Sequence, residues 1–211
     1  MKTILFYGDS LTWGTDPETG LRHQAEMRVP DALASALGDG FEVISEGLRG
    51  RCTAYDEHLA DCDRNGARAL ATSLYTHAPL DLVILMLGTN DMKPHIAGTW
   101  VAAQQGMRRL VKMVKHHVPG PGMPVPRVLV VSPPPLCETP DVFFAEMFKG
   151  GIEQSAKLAD AYQLLAAEED AGFFDGAAVA ETSPLDGVHL NAENSARLGK
   201  GLAPAVQSLL A

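Results

Sequence analysis

Apolar positions fall in two alternating rhythms along this chain. Short, nearly unbroken runs occur at 3–7 (TILFY), 41–45 (FEVIS), 81–87 (DLVILML) and 127–132 (RVLVVS), with a weaker fifth at 172–174 (GFF). Runs of this length without polar alternation predict strands covered on both faces, as in a parallel sheet. Between them the spacing becomes helical. Val29, Leu33, Ala36 and Leu37 stand at i, i+4, i+7 and i+8, and Gly38 supplies a stop. Residues 67–77, 99–117, 151–170 and 192–210 are the other predicted helices. Gly199, Gly201 and Pro204 predict that the last is kinked or split. Strand and helix in alternation define an α/β class with a parallel sheet.

Three stretches depart from the rhythm. Residues 11–26 read as a long loop. Residues 119–126 (PGPGMPVP) read as a stiff connector, because Pro and Gly exclude regular structure. Residues 133–150 begin with three prolines and then carry Phe143, Phe144, Met147 and Phe148. Such apolar residues on a long loop are either a pocket wall or subunit interface, or they pack on their own domain.

Composition narrows the classes. A length of 211 residues fits one domain, 1–211, with 46% apolar and 20% charged residues, as in globular proteins. The net charge of −9 argues against nucleic-acid and anionic-membrane partners, which need a basic face. The apolar run after Met1-Lys2 is too short for a secretory leader, and no stretch approaches a membrane span. Cys52, Cys62 and Cys137 are sparse and odd in number, which reads as reduced thiols and a cytoplasmic location.

Three polar segments sit where a site is expected. Gly8-Asp9-Ser10-Leu11 follows the first strand, and ligands of open α/β sheets bind beyond the carboxyl ends of strands. A hydroxyl there is presented for attack; the plainer reading of the same residues is a helix cap. Leu87-Gly88-Thr89-Asn90-Asp91 follows the strongest strand, and the Asn90 amide is a fixed neutral donor suited to an oxyanion, or else a turn residue. In Asp186-Gly187-Val188-His189 the two ionisable residues are three apart, so the carboxylate can orient the imidazole. Together the segments supply a nucleophile, an oxyanion donor, a base and its orienter, the parts of a serine acyl-transfer site.

These segments, in this order, resemble the SGNH (GDSL) hydrolase family. Gly8-Asp9-Ser10-Leu11 matches its first block, Gly88-Thr89-Asn90-Asp91 its third and Asp186-Gly187-Val188-His189 its fifth. Within Ser45-Glu46-Gly47-Leu48-Arg49-Gly50-Arg51, Gly50 resembles the family's glycine with an oxyanion N–H; Gly47 is the alternative, because Ser45 stands where the family often has Asn. The resemblance implies a flavodoxin-like three-layer α/β/α sandwich with a central five-stranded parallel sheet. It also implies Ser10, His189 and Asp186 as catalytic residues, and Ser10, Gly50 and Asn90 as oxyanion donors. The longer string Gly8-Asp9-Ser10-Leu11-Thr12-Trp13-Gly14, with Glu46-Gly47-Leu48 and Val131-Ser132-Pro133-Pro134-Pro135, resembles the bacterial arylesterase/acyltransferase subgroup. That implies short acyl esters as substrates, transfer to alcohols or peroxide, and a closed homo-oligomer; the alternatives are another class of the family, such as a carbohydrate acetylesterase, thioesterase or lysophospholipase, or a non-catalytic binding module on the same fold. Asp9, Leu11 and Trp13 flank the hydroxyl and are expected at the substrate, Trp13 as the wall of a small acyl pocket or, on the plainer reading, as packing.

No cofactor or metal is expected. There is neither GxGxxG nor a Walker A sequence, and neither HExxH nor paired CxxC. His58, Asp61, Cys62 and Asp63 read as a solvated face, and His116-His117 as the cationic end of a helix.

Overall fold

The computed structural model describes residues 1–211. Five parallel strands form one sheet in the order β2-β1-β3-β4-β5: β1 Lys2–Gly8, β2 Phe41–Gly47, β3 Leu82–Met86, β4 Arg127–Ser132 and β5 Gly172–Asp175. This is the flavodoxin-like order, in which the chain winds one way from β1 to β2 and the other way from β1 through β3. The reversal leaves a crevice between the carboxyl ends of β1 and β3.

Alternation along each strand divides the core. Leu5 and Tyr7 of β1, Val83 and Leu85 of β3, and Val128 and Val130 of β4 point to one face. They pack there with α3 (Gly66–Thr76), α4 (Trp100–Lys115) and α7 (Leu158–Glu168). Ile4, Phe6, Leu82, Ile84, Met86, Leu129 and Val131 point to the other, beneath α2 (Val29–Leu37) and α8 (Ala192–Leu210). Every residue of β3 is buried, so the central strands are the unbroken apolar runs of the sequence.

Four expectations need correction. The segment 11–26 is not all loop: α1 (Ser10–Trp13) opens it, and a 3-10 turn follows at Ala25–Met27. The segment 133–150 contains α5 (Val142–Met147), started by Asp141, whose carboxylate accepts from the N–H groups of Phe143 and Phe144. The stretch 151–170 is two helices, α6 (Gly151–Ser155) and α7. Ser155 ends the first: its hydroxyl donates back to the Ile152 carbonyl and accepts the Leu136 N–H, a local alternative to helix continuation. Finally, α8 is one continuous helix through Pro204. Gly199 does not break it but lets it approach α2, since a Cβ there would meet the Val29 carbonyl and Ala32.

No helix is long and apolar enough to cross a membrane.

Candidate active site

The first turn after β1 is built by a cap. Asp9 accepts the Leu11 N–H at 2.9 Å and starts α1, whose first residue is Ser10. The cap reading of this tripeptide and the presentation of Ser10 are therefore the same feature. Asp9 is 1% exposed and turned inward, and Leu11 is packed in the core with Ile4, Phe6 and Val29. Both help to hold the turn that carries Ser10.

The segment before α8 reaches the same crevice from the other side. Asp186 Oδ1 accepts the N–H groups of Val188 and His189, each at 2.9 Å, and winds the four residues into a tight turn. Its Oδ2 lies 2.6 Å from His189 Nδ1. His189 Nε2 is 3.0 Å from Ser10 Oγ, so residues 179 positions apart form a row of carboxylate, imidazole and hydroxyl. The Nδ1 contact makes that nitrogen the donor and leaves Nε2 as the acceptor for the hydroxyl proton. Phe144 of α5 stands edge-on to the imidazole, 5.9 Å between ring centres. Asp186 is buried, which opposes its charge, yet the His189 hydrogen bond, the His189 charge and two backbone N–H groups hold it below the ordinary carboxylate range.

The loop after β2 is fastened to β1 by Arg51. Its guanidinium lies 4.0 Å over the Tyr7 ring and donates to the carbonyls of Gly8, at 2.9 Å, and of Glu46. This places Gly50 beside the crevice with φ +80°, a backbone conformation that glycine adopts without strain. The Gly50 N–H makes no hydrogen bond within the chain and is a free donor. Gly47 belongs to β2 and is pressed against the Trp13 backbone. On geometry Gly50 is the stronger candidate.

Asn90 follows β3 on the other flank. Its amide nitrogen contacts Asp9 Oδ2 at 3.3 Å and the Arg51 carbonyl at 3.2 Å, both acceptors, which fixes the amide's orientation. Both contacts are long. Beneath Asn90 lies a second carboxyl, Asp91, held by the Thr53 N–H at 3.0 Å and by the Thr53 hydroxyl. Burial pushes Asp9 up to about 6, against the Leu11 N–H and the charges of His189, Arg51 and Lys93. Burial pushes Asp91 up to about 7, against the Thr53 donors and with Asp9 adding to the rise.

Trp13 lies between two guanidiniums, Arg22 and Arg49, each 5.1 Å from its ring centre. A cavity of about 320 Å³ adjoins the other flank, lined by Cys137, Phe144, Phe148, Asp186 and Val188 among others. Sequence reasoning did not single out Arg51, Thr53, Arg64 or Lys93 as neighbours of the site. For Arg51, Thr53 and Lys93, nearness to Gly50 and Asn90 in the chain was the only available signal, and for Arg64 there was none.

Fold and site together define a class: an α/β acylhydrolase with a serine in a G-D-S turn at the sheet's crevice. The chain belongs to the GDSL-like lipase/acylhydrolase family, whose family model matches residues 6–197. Among solved structures it is similar to a carbohydrate acetylesterase family member from Sinorhizobium meliloti (59% identity, TM-score 0.98, covering 100% of this chain and 99% of that one). It is also similar to the aryl esterase of M. smegmatis (44% identity, TM-score 0.94, 100% of each chain). A second carbohydrate acetylesterase from S. meliloti matches at 42% identity and TM-score 0.94, covering 99% of this chain and 100% of that one. No curated protein sequence matches the chain.

Proposed function

We propose that the protein hydrolyses short-chain acyl esters, aryl or alkyl, through an acyl-enzyme on Ser10. The observation that carries this reading is the 3.0 Å contact between Ser10 Oγ and His189 Nε2, continued by the 2.6 Å contact to Asp186. As Ser10 Oγ attacks the ester carbonyl, its proton passes to His189 Nε2. The carbonyl oxygen becomes an oxyanion that accepts from the N–H groups of Ser10 and Gly50 and from the Asn90 amide, which releases one of its two long contacts. His189 then protonates the departing alkoxide or phenoxide. Water, activated by the same imidazole, releases the acid; an alcohol or peroxide that outcompetes water takes the acyl group instead. Asp186 holds the imidazole tautomer and the charge of imidazolium.

The names of the relatives favour two ester classes, aryl esters and acetylated carbohydrates. Turnover of phenyl acetate and of an acetylated sugar, with Ser10→Ala as the control, separates them. Labelling of Ser10 by a serine-directed phosphonate tests the nucleophile itself, and an unlabelled Ser10 rejects the reading. Trp13 walls the acyl side: Trp13→Ala is expected to relax acyl-length selectivity, measured as the ratio of acetate to butyrate turnover. The exposed Val142 and Phe143 on α5 support assembly into a homo-oligomer, and three unpaired cysteines fit a reducing cytoplasm.

A further inference from the structure

Glu57 gathers three nitrogen groups around one carboxylate oxygen and binds none of them closely. Its Oε2 lies 3.8 Å from Lys93 Nζ, 3.8 Å from an Arg64 guanidinium nitrogen and 3.7 Å from His95 Nε2. All three distances exceed hydrogen-bond length. The Lys93 side chain is 8% exposed, and Glu57 is the one carboxylate within 4.0 Å of its ammonium. The Phe148 ring, 5.6 Å away, is its other electron-rich neighbour. Arg64 Nε is buried with no hydrogen-bond partner at all. Two cations therefore share one loosely held carboxylate, Lys93 with its side chain 8% exposed and Arg64 with its side chain 30% exposed. A largely buried ammonium ordinarily finds a close acceptor, because leaving it without one is costly.

The cluster adjoins the candidate site. A Cβ on Gly50 would stand 2.7 Å from Arg64 Nε, so the guanidinium lies directly against the free-donor glycine. The Arg64 carbonyl accepts the Cys52 N–H, which ties that side of the loop down. Lys93 follows Asn90 by three residues and donates its own N–H to the Asn90 carbonyl. Its Phe148 neighbour lines the same cavity as Phe144 and Asp186. The unsatisfied positive charge thus borders the loops that carry Gly50 and Asn90, in a protein whose net charge is −9.

We infer that Lys93 and Arg64 receive a carboxylate carried by the substrate, so that the preferred ester is an anionic one. This rests on the ester-hydrolase reading and adds the class of ester. The carboxylate belongs either to the acyl part or to the alcohol part, and paired substrates distinguish the two. Monophenyl succinate against phenyl butyrate places the charge on the acyl side; 3-acetoxybenzoate against 3-acetoxybenzamide places it on the alcohol side. In the native enzyme one anionic ester is expected to exceed its neutral counterpart in kcat/KM by about tenfold, the scale of one charge-assisted hydrogen bond. Lys93→Met should erase that ratio and Lys93→Arg should keep most of it. Glu57→Gln should raise it, because the competing carboxylate is gone. Structural damage would not move the Lys93 and Glu57 variants in opposite directions. Ratios near one for both pairs, or a ratio that survives Lys93→Met, overturn the inference. Calorimetry of the same four esters on Ser10→Ala reads affinity without turnover. A preference for an anionic ester there, lost on adding Lys93→Met, upholds the receptor even if native turnover fails. Equal affinities for the anionic and neutral esters reject it.

Discussion

Two groups of buried carboxyls meet at this crevice, and their surroundings shift them in opposite directions. Asp186 is buried but keeps its charge: an imidazole and two backbone N–H groups surround it. Asp9 and Asp91 are buried more deeply, lie near each other and have fewer donors, and burial pushes both up. Burial opposes charge in all three, most completely in these two. The number of donors each oxygen finds, and whether the nearest neighbour is a cationic partner or another carboxyl, differ as well. One group holds its charge beside an imidazole, as the proposed proton transfer needs. The other holds Asn90 and the loop of Thr53, and burial there disfavours the charge.

The largest effect expected from breaking this contrast is at Asp186. Asp186→Asn keeps the size of the side chain but removes the charge and permits the wrong imidazole tautomer, so kcat should fall by about 10⁴. Steady-state rates on phenyl acetate measure it, and a loss below tenfold would remove Asp186 from the proposed mechanism. Next is the residue that the second group supports. Asn90→Ala should lower kcat by about 10²–10³ if the amide serves the oxyanion. A loss confined to KM would instead mark Asn90 as a substrate-binding or turn residue.

The third effect is on stability, and its sign follows from protonation. Asp9 and Asp91 bind protons more readily in the folded chain, near 6 and 7, than at their ordinary value of 3.8. The stability from the neutral forms is fully present below pH 3.8 and is lost as pH rises through about 6 and 7. Asp186 has the opposite sign: it stabilises above the ordinary carboxylate range, and that contribution is lost only in stronger acid. Comparing native protein with Asp91→Asn by urea unfolding should show the native chain losing about 2 kcal/mol relative to the variant between pH 5 and pH 8. A difference that stays constant with pH would mean that Asp91 is ionised throughout.

These contrasts were unevenly legible in the sequence. β4 was read at its full length, and β1, β2 and β3 to within two residues at each end, because buried parallel strands leave unbroken apolar runs. The segments that carry Ser10, Asp186 and His189 were legible because each is a short local motif, and the structure brings the three side chains into one row. The ionisation of Asp9 and Asp91 was not, since it depends on how completely each is buried and on Arg51 and Thr53 of the loop after β2 meeting the turns that carry the two carboxyls. Position beside Ser10 says nothing about which way the Asp9 side chain turns, and the structure turns one of its oxygens to the Asn90 amide. α8 was read as kinked or split at Gly199, Gly201 and Pro204, and it is not split; glycine in a helix has two meanings, flexibility and close packing. Only the neighbour α2 decides between them.

The smallest effect tests the donor rule directly. Thr53 supplies both a backbone N–H and a hydroxyl to Asp91, and Thr53→Val removes only the hydroxyl while keeping the shape of the side chain. The charged form of Asp91 then loses one donor, so the carboxyl should rise further. The pH at which its stabilising contribution is lost should move upward by about one unit, the worth of one charge-assisted hydrogen bond. Urea midpoints between pH 5 and pH 9, native against Thr53→Val, resolve the displacement. Phenyl acetate turnover should change by less than about tenfold, because Asn90 and the triad keep their partners. A downward displacement would show that the hydroxyl favours the neutral carboxyl, and donor number would no longer explain why Asp186 and Asp91 differ.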